Sequence, residues 1–78
     1  MDKDVEQFLI ENYGSTEKYD IIFADNQDDL MFLIGQRFRP QFHKQKNNNH
    51  ARWVKSALHN GIIHGKIINN TFINLGGA

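Results

Sequence analysis

The chain has no cysteine, and only 78 residues in which to do without one. Disulfides are the usual support of very small secreted domains. Without them one hydrophobic core must hold the fold, and the length leaves room for one domain and one core. A domain this size buries roughly 60% of the surface its unfolded chain exposes, so its stability margin is thin. Little space remains for a deep substrate cavity beside such a core. That favours a binding module over a stand-alone enzyme, and one that gains stability by dimerising or by docking on a partner. The lack of thiols also excludes thiolate metal sites and thiol nucleophiles.

Hydrophobic spacing then assigns the elements. Residues 2–13 read as an amphipathic helix with Val5, Phe8, Leu9 and Tyr13 on one face. Asp2, Asp4 and Glu6 lie in its first turn, at the positive end of the helix dipole, and Gly14 follows as a natural stop. Tyr19 to Ala24 is β-branched and aromatic and reads as a strand. Asp25 stands three residues before Asp28, a helix N-cap pattern with an acid at N3. Leu30, Leu33, Ile34 and Phe38 continue at helical spacing, with Met31 and Phe32 between them, so this helix is expected to be apolar on most sides and well buried. A strand at 30–34, hairpinned to the one before it, is the alternative that periodicity leaves open.

Residues 39–49 carry the only proline and read as an exposed basic loop. The asparagines at its end supply an N-cap for a helix over His50–His59. That helix is expected to bury Ala51, Val54 and Leu58, supported by Trp53 and Ala57, and to stop at Gly61. Residues 62–75 read as a hairpin turning at Asn69-Asn70, since Asn tolerates the left-handed backbone that tight turns require. Gly65 is a candidate bulge, and residues 76–78 a frayed tail. The fold class is therefore α+β, a small single domain over residues 1–78 in the order α-β-α-α-β-β. That is the order of a winged helix-turn-helix with the hairpin as wing, an analogy at the level of fold alone. The segment 39–49 argues against it, because a helix-turn-helix uses a turn of 3–4 residues. If 30–34 is a strand, the order becomes α-β-β-α-β-β and the analogy disappears.

The formal net charge of zero conceals a split. All nine acids lie at or before Asp29, with only Lys3 and Lys18 among them, for a charge of −7. From Leu30 onward there are seven bases and no acid. Arg52, Lys55 and His59 recur at i, i+3 and i+7, which places them on one helix face. Arg37, Arg39, Lys44 and Lys46 lie on or beside the loop, where cations can follow a phosphate backbone, and Lys66 lies on the hairpin. These eight residues form the candidate surface for nucleic acid or an acidic partner, with Gln41, Gln45 and Asn47 to Asn49 as further hydrogen-bonding groups. Asp2, Asp4, Glu6 and Glu11 form the candidate surface for a basic partner. A competing expectation is that the acidic first helix folds back on the basic half and neutralises it. Another is that copies of so dipolar a molecule associate through their opposite charges.

Other chemistry finds little support. His43, His50, His59 and His64 include no i, i+4 pair and have no acid nearby in sequence to orient an imidazole, so no metal is expected. A His–Asn–His nuclease reading of His43, Asn48 and His50 lacks its surrounding hairpin and metal-binding helix. Asp28 and Asp29 point different ways on a helix. Ser15-Thr16 belongs to no triad. Gly61-x-x-x-Gly65-Lys66 lacks the preceding strand and the Ser/Thr of a phosphate loop. Trp53 reads as core. Met1-Asp2-Lys3-Asp4 places acids where a secretory signal carries positive charge, so Asn69-Asn70-Thr71 is not expected to act as a glycosylation site. No apolar run approaches the ~20 residues of a membrane span. The sequence thus leads to a cytoplasmic, non-catalytic, cofactor-free binding module. It takes nucleic acid through its basic half or docks on a partner protein as a small inhibitor or adaptor of the mobile-element kind.

Overall fold

A computed structural model describes residues 2–16, 19–42 and 50–76. The expected α+β order is present: α1 (Lys3–Tyr13), β1 (Asp20–Phe23), α2 (Gln27–Phe38), α3 (His50–His59), β2 (Gly65–Ile68) and β3 (Thr71–Asn74). Residues 30–34 are helical, which removes the strand alternative. One turn of 3-10 helix (Arg39–Phe42) follows α2, in place of the first part of the expected open loop. The remainder of that loop, residues 17–18 and residues 77–78 of the expected tail lie outside the described residues.

The three strands form an antiparallel sheet in the order β1-β3-β2. Asn69, with φ 55°, makes the left-handed turn between β2 and β3 that its residue type permits. β3 is central, with a strand on each edge, and helices cover both of its faces, so consecutive residues enter different cores. Phe72 aligns with Ile22 and Ile67 and is buried with Leu30, Met31, Ile34 and Phe38 of α2 and Trp53, Val54 and Ala57 of α3. Ile73 points the other way, into a second core with Val5 and Leu9 of α1. The molecule is therefore layered, with α1 on one side of the sheet and α2 and α3 on the other. Each layer follows from period: two residues in the strand, and three to four in each helix.

The packing corrects several sequence expectations. Gly65 is not a bulge: it pairs with Asn74 in unbroken register. A Cβ there would meet the Phe72 ring and stand 2.8 Å from the Ile73 carbonyl oxygen, so the missing side chain is what lets the ring lie over β2. The N-cap of α2 is Asn26, not Asp25; its side chain accepts from the Asp29 N–H at 2.9 Å and donates to the Asp29 carboxylate at 3.0 Å. The buried stripe of α2 is Leu30, Met31, Ile34 and Phe38, leaving Phe32 and Leu33 exposed; hydrophobicity alone cannot orient a helix that is apolar on most sides. Tyr13 is likewise exposed, resting against the Tyr19 ring at 5.1 Å. Trp53 is buried as expected.

Gly65→Ala should destabilise the fold by about 1–3 kcal/mol through overpacking against the Phe72 ring. Urea unfolding followed by tryptophan fluorescence measures this, and an unchanged midpoint would mean that the ring does not occupy that space.

Candidate functional site

The basic residues fall on several surfaces. Arg52 and Lys55 are exposed on α3 with Ser56 and His59, opposite the buried Trp53, Val54 and Ala57. Asn60 follows and donates to the Ser56 hydroxyl at 3.2 Å. This face is polar and contains no acid. Arg39, also exposed, opens the 3-10 turn after α2. Lys44 and Lys46 lie outside the described residues, as do Gln45 and Asn47 to Asn49.

Arg37 and Lys66 are engaged within the molecule. Arg37 forms a salt bridge with Asp20 of β1, tying the end of α2 to the sheet. Between described residues this is the one salt bridge, and both partners are partly solvent-exposed, so it contributes little to stability. Lys66 lies on the α1 side of the sheet, its Nζ 5.7 Å from the centre of the Phe8 ring. There it makes a cation–π contact with the acidic helix and is separated from Arg52 and Lys55 by the sheet. Sequence proximity therefore overstated the basic surface: among the described residues its exposed bases without a partner in the fold are Arg52 and Lys55 on α3 and Arg39 in the turn after α2.

The acids divide in the same way. Asp2 caps α1, accepting from the Asp4 N–H at 2.7 Å and the Val5 N–H at 3.3 Å. Its other carboxylate oxygen accepts from the Asn69 side chain at 3.0 Å, and Asp4 accepts from the same amide at 3.2 Å. Asp2 and Asp4 thus fasten the start of α1 to the β2–β3 turn. Glu6 and Glu11 remain on the outer face of α1 with the exposed Ile10 between them, and Gln7 donates to Glu11 at 2.9 Å. α1 meets the basic half through β2, β3 and the turn between them, and its buried face is spent on the side of the sheet away from α3.

Two further surfaces were not legible in the sequence. Asp20, Arg37, Gln41, His64 and Asn74 converge on a depression at one end of the sheet, where Arg37 and His64 are exposed. The second is apolar: Phe23 is 76% exposed at the edge of the sheet, beside Phe32 and Leu33 of α2. Among the described residues no three metal-ligating side chains cluster, and no helix is long and apolar enough to cross a membrane. Compared with known protein families, curated proteins and solved structures, the chain matches none of them.

The Asn69 hydrogen bond, and after it the Asp4 N–H, hold the Asp2 carboxyl below its ordinary value of 3.8. The folded state therefore favours the charged form. The resulting stabilisation is present above the ordinary value and is lost as pH falls through the lower folded-state value. Asp2→Ala should melt below the wild type at neutral pH, and the gap should close in strong acid. Thermal melts across that range check this; a gap independent of pH would contradict it.

Proposed function

We propose that the chain is a small non-catalytic binding module, working in the cytoplasm, whose α3 face binds nucleic acid. The observation that carries the reading is the acid-free run of Arg52, Lys55, Ser56, His59 and Asn60 on the outer side of α3, across the sheet from the acidic α1. Arg39 adds a base at the start of the segment leading to α3, and Lys44 and Lys46 lie in that segment. Cations at this spacing meet successive phosphates, while hydroxyl and amide groups between them reach sugar or base edges.

The element order, the same as in a winged helix-turn-helix, supports the reading by analogy. In that arrangement the second helix of the pair enters the groove, and α3 stands in its place. The analogy extends to order alone: residues 39–49 exceed a helix-turn-helix turn, and α1 packs across the sheet from the other two helices.

A second reading rests on a different surface. Glu6, Ile10 and Glu11, with Lys3 and Gln7 beside them, form a face with two acids and one base around an apolar centre on the outside of α1. This is the kind of surface with which a small inhibitor or adaptor of the mobile-element kind would occupy a basic groove on a partner protein.

Charge reversal separates the two. With Arg39, Arg52 and Lys55 as phosphate contacts, log K for duplex DNA should fall with log salt at a slope near −2.7. Fluorescence anisotropy at ~50 mM salt should show Arg52→Glu/Lys55→Glu abolishing binding and Glu6→Lys/Glu11→Lys preserving it. No binding by the wild type to duplex or single-stranded DNA or RNA would remove the nucleic-acid reading.

A further inference from the structure

β1 is an edge strand, and among the described residues no other strand lies on its outer side. Ala24 N–H donates to the Asn70 carbonyl at 3.1 Å, continuing the register with β3. Hydrogen-bonded and non-bonded pairs alternate along an antiparallel ladder. Asp20, Ile22 and Ala24 therefore bond inward, and the N–H and C=O groups of Ile21 and Phe23 turn outward. Natural edges are usually blunted by proline, lysine, a bulge or a cover. β1 contains neither proline nor lysine, keeps an unbroken register and ends in the exposed Phe23.

Helix α2 runs alongside this edge. At its start Gln27 donates to the Asn69 carbonyl at 2.8 Å, near the Phe23 end of β1, and at its close Arg37 pairs with Asp20, at the other end. Two hollows lie between strand and helix and share the exposed Leu33. One is lined by Ile22, Leu33, Gln36 and Arg37. The other joins Phe23, Ala24 and Leu33 to Asp25 and Asp29. Because Arg37 is already paired with Asp20, those two charges cancel. Asp25 and Asp29 form no salt bridge with a described residue; the Asp29 carboxylate accepts only from the neutral Asn26 amide, at 3.0 Å. The edge is therefore apolar along its length and acidic at the start of α2.

This balance selects the occupant. The edge of a second copy carries the same negative charge, and nucleic acid carries its phosphates, so both are repelled. A polypeptide strand bearing bases is complementary. We propose that β1 receives an extended basic segment of a partner protein as a fourth strand, antiparallel like the rest of the sheet. Main-chain bonds to Ile21 and Phe23 hold the segment, and its alternate side chains read the edge. The residue opposite Ile22 faces α2 and lies in the hollow beside Leu33, which suits a β-branched aliphatic side chain. Two positions away, the residue opposite Ala24 faces the same way and reaches Asp25 and Asp29, which suit Lys or Arg. The residue between them lies beside the exposed Phe23 ring on the other face, where an Arg guanidinium stacks. Since the strands run in opposite directions, the partner reads base, Arg, aliphatic in that order. This inference does not depend on the nucleic-acid reading, whose surface is on α3.

The probe is an acetylated and amidated peptide, Lys-Arg-Val-Thr-Val, added to the full chain at low salt up to about millimolar concentration. Backbone amide resonances of β1 and the start of α2 should shift together. Exchange at the Ile21 and Phe23 amides should slow, because only pairing along the edge protects those two groups. Methylating the peptide's Arg and Thr nitrogens, which face β1, should abolish binding, and so should Glu in place of its Lys and Arg. Asp25→Lys/Asp29→Lys, with wild-type circular dichroism, should bind the basic peptide at least about tenfold more weakly. It should bind the Glu-Glu peptide more tightly than the wild type does. Any of four results would overturn the proposal. The first is a wild type whose β1 resonances do not move, and the second is shifts centred on Glu6 and Glu11 of α1 instead. The third is a methylated peptide that binds as well as its parent, which would mean charge attraction without strand pairing. The fourth is slowing of the Ile21 and Phe23 amides by higher protein concentration or by duplex DNA but not by the peptide, which would give the edge to a second copy or to nucleic acid.

Discussion

Strand β3 is the constraint on which the rest of the structure depends. Phe72 and Ile73 are adjacent in sequence, both fully buried, and directed into different cores. Such a strand needs cover on both sides, and among the described residues three α-helices provide it. The basic α3 and the mid-chain α2 pack over Phe72, and the acidic α1 takes Ile73. Hydrophobic demand from one four-residue strand thus places helices of opposite charge in opposite layers. A split along the sequence becomes a split across the sheet.

The separation also determines which charges remain available for binding. Charges near the sheet are drawn into the fold: Asp2 and Asp4 hold the β2–β3 turn, Arg37 fastens α2 to β1, and Lys66 lies over Phe8. Among the described residues, charges on the outer helix faces do not tie one element to another; Glu11 meets only Gln7 of its own helix. Arg52, Lys55 and His59 lie on one outer face and Glu6 and Glu11 on the other. The α3 face is thus basic, and the α1 face carries two acids beside Lys3.

Much of this order was legible in the sequence. The period of Val5 and Leu9, the β-branched run Ile21-Ile22 and the Asn69-Asn70 turn each identify an element through a local rule. What the sequence did not disclose depends on contacts distant along the chain. Nothing near Gly65 shows that the Phe72 ring will occupy the place of its side chain. Leu30 to Ile34 is apolar at every position, so its pattern could not reveal that Phe32 and Leu33 face outward. Lys66 could be placed on the hairpin but not on a face of the sheet until the register was known. The asymmetry of the candidate surfaces has the same origin: residue type gives the charge, and strand register decides which side it reaches.

The central claim is that the sheet holds the acidic and basic helices apart. The absence of cysteine makes it directly measurable, because a Glu6→Cys/Lys55→Cys variant takes spin labels at those two sites alone. Two helices of about 10–12 Å diameter with a sheet between them put outward-facing labels more than about 25 Å apart. Pulsed dipolar spectroscopy should give one distance population in that range, unchanged between low and high salt. A population below about 20 Å, of the kind expected if two adjacent helices pack at 8–10 Å, or one that lengthens as salt is added, would mean that α1 lies against α3 and would contradict the layered arrangement.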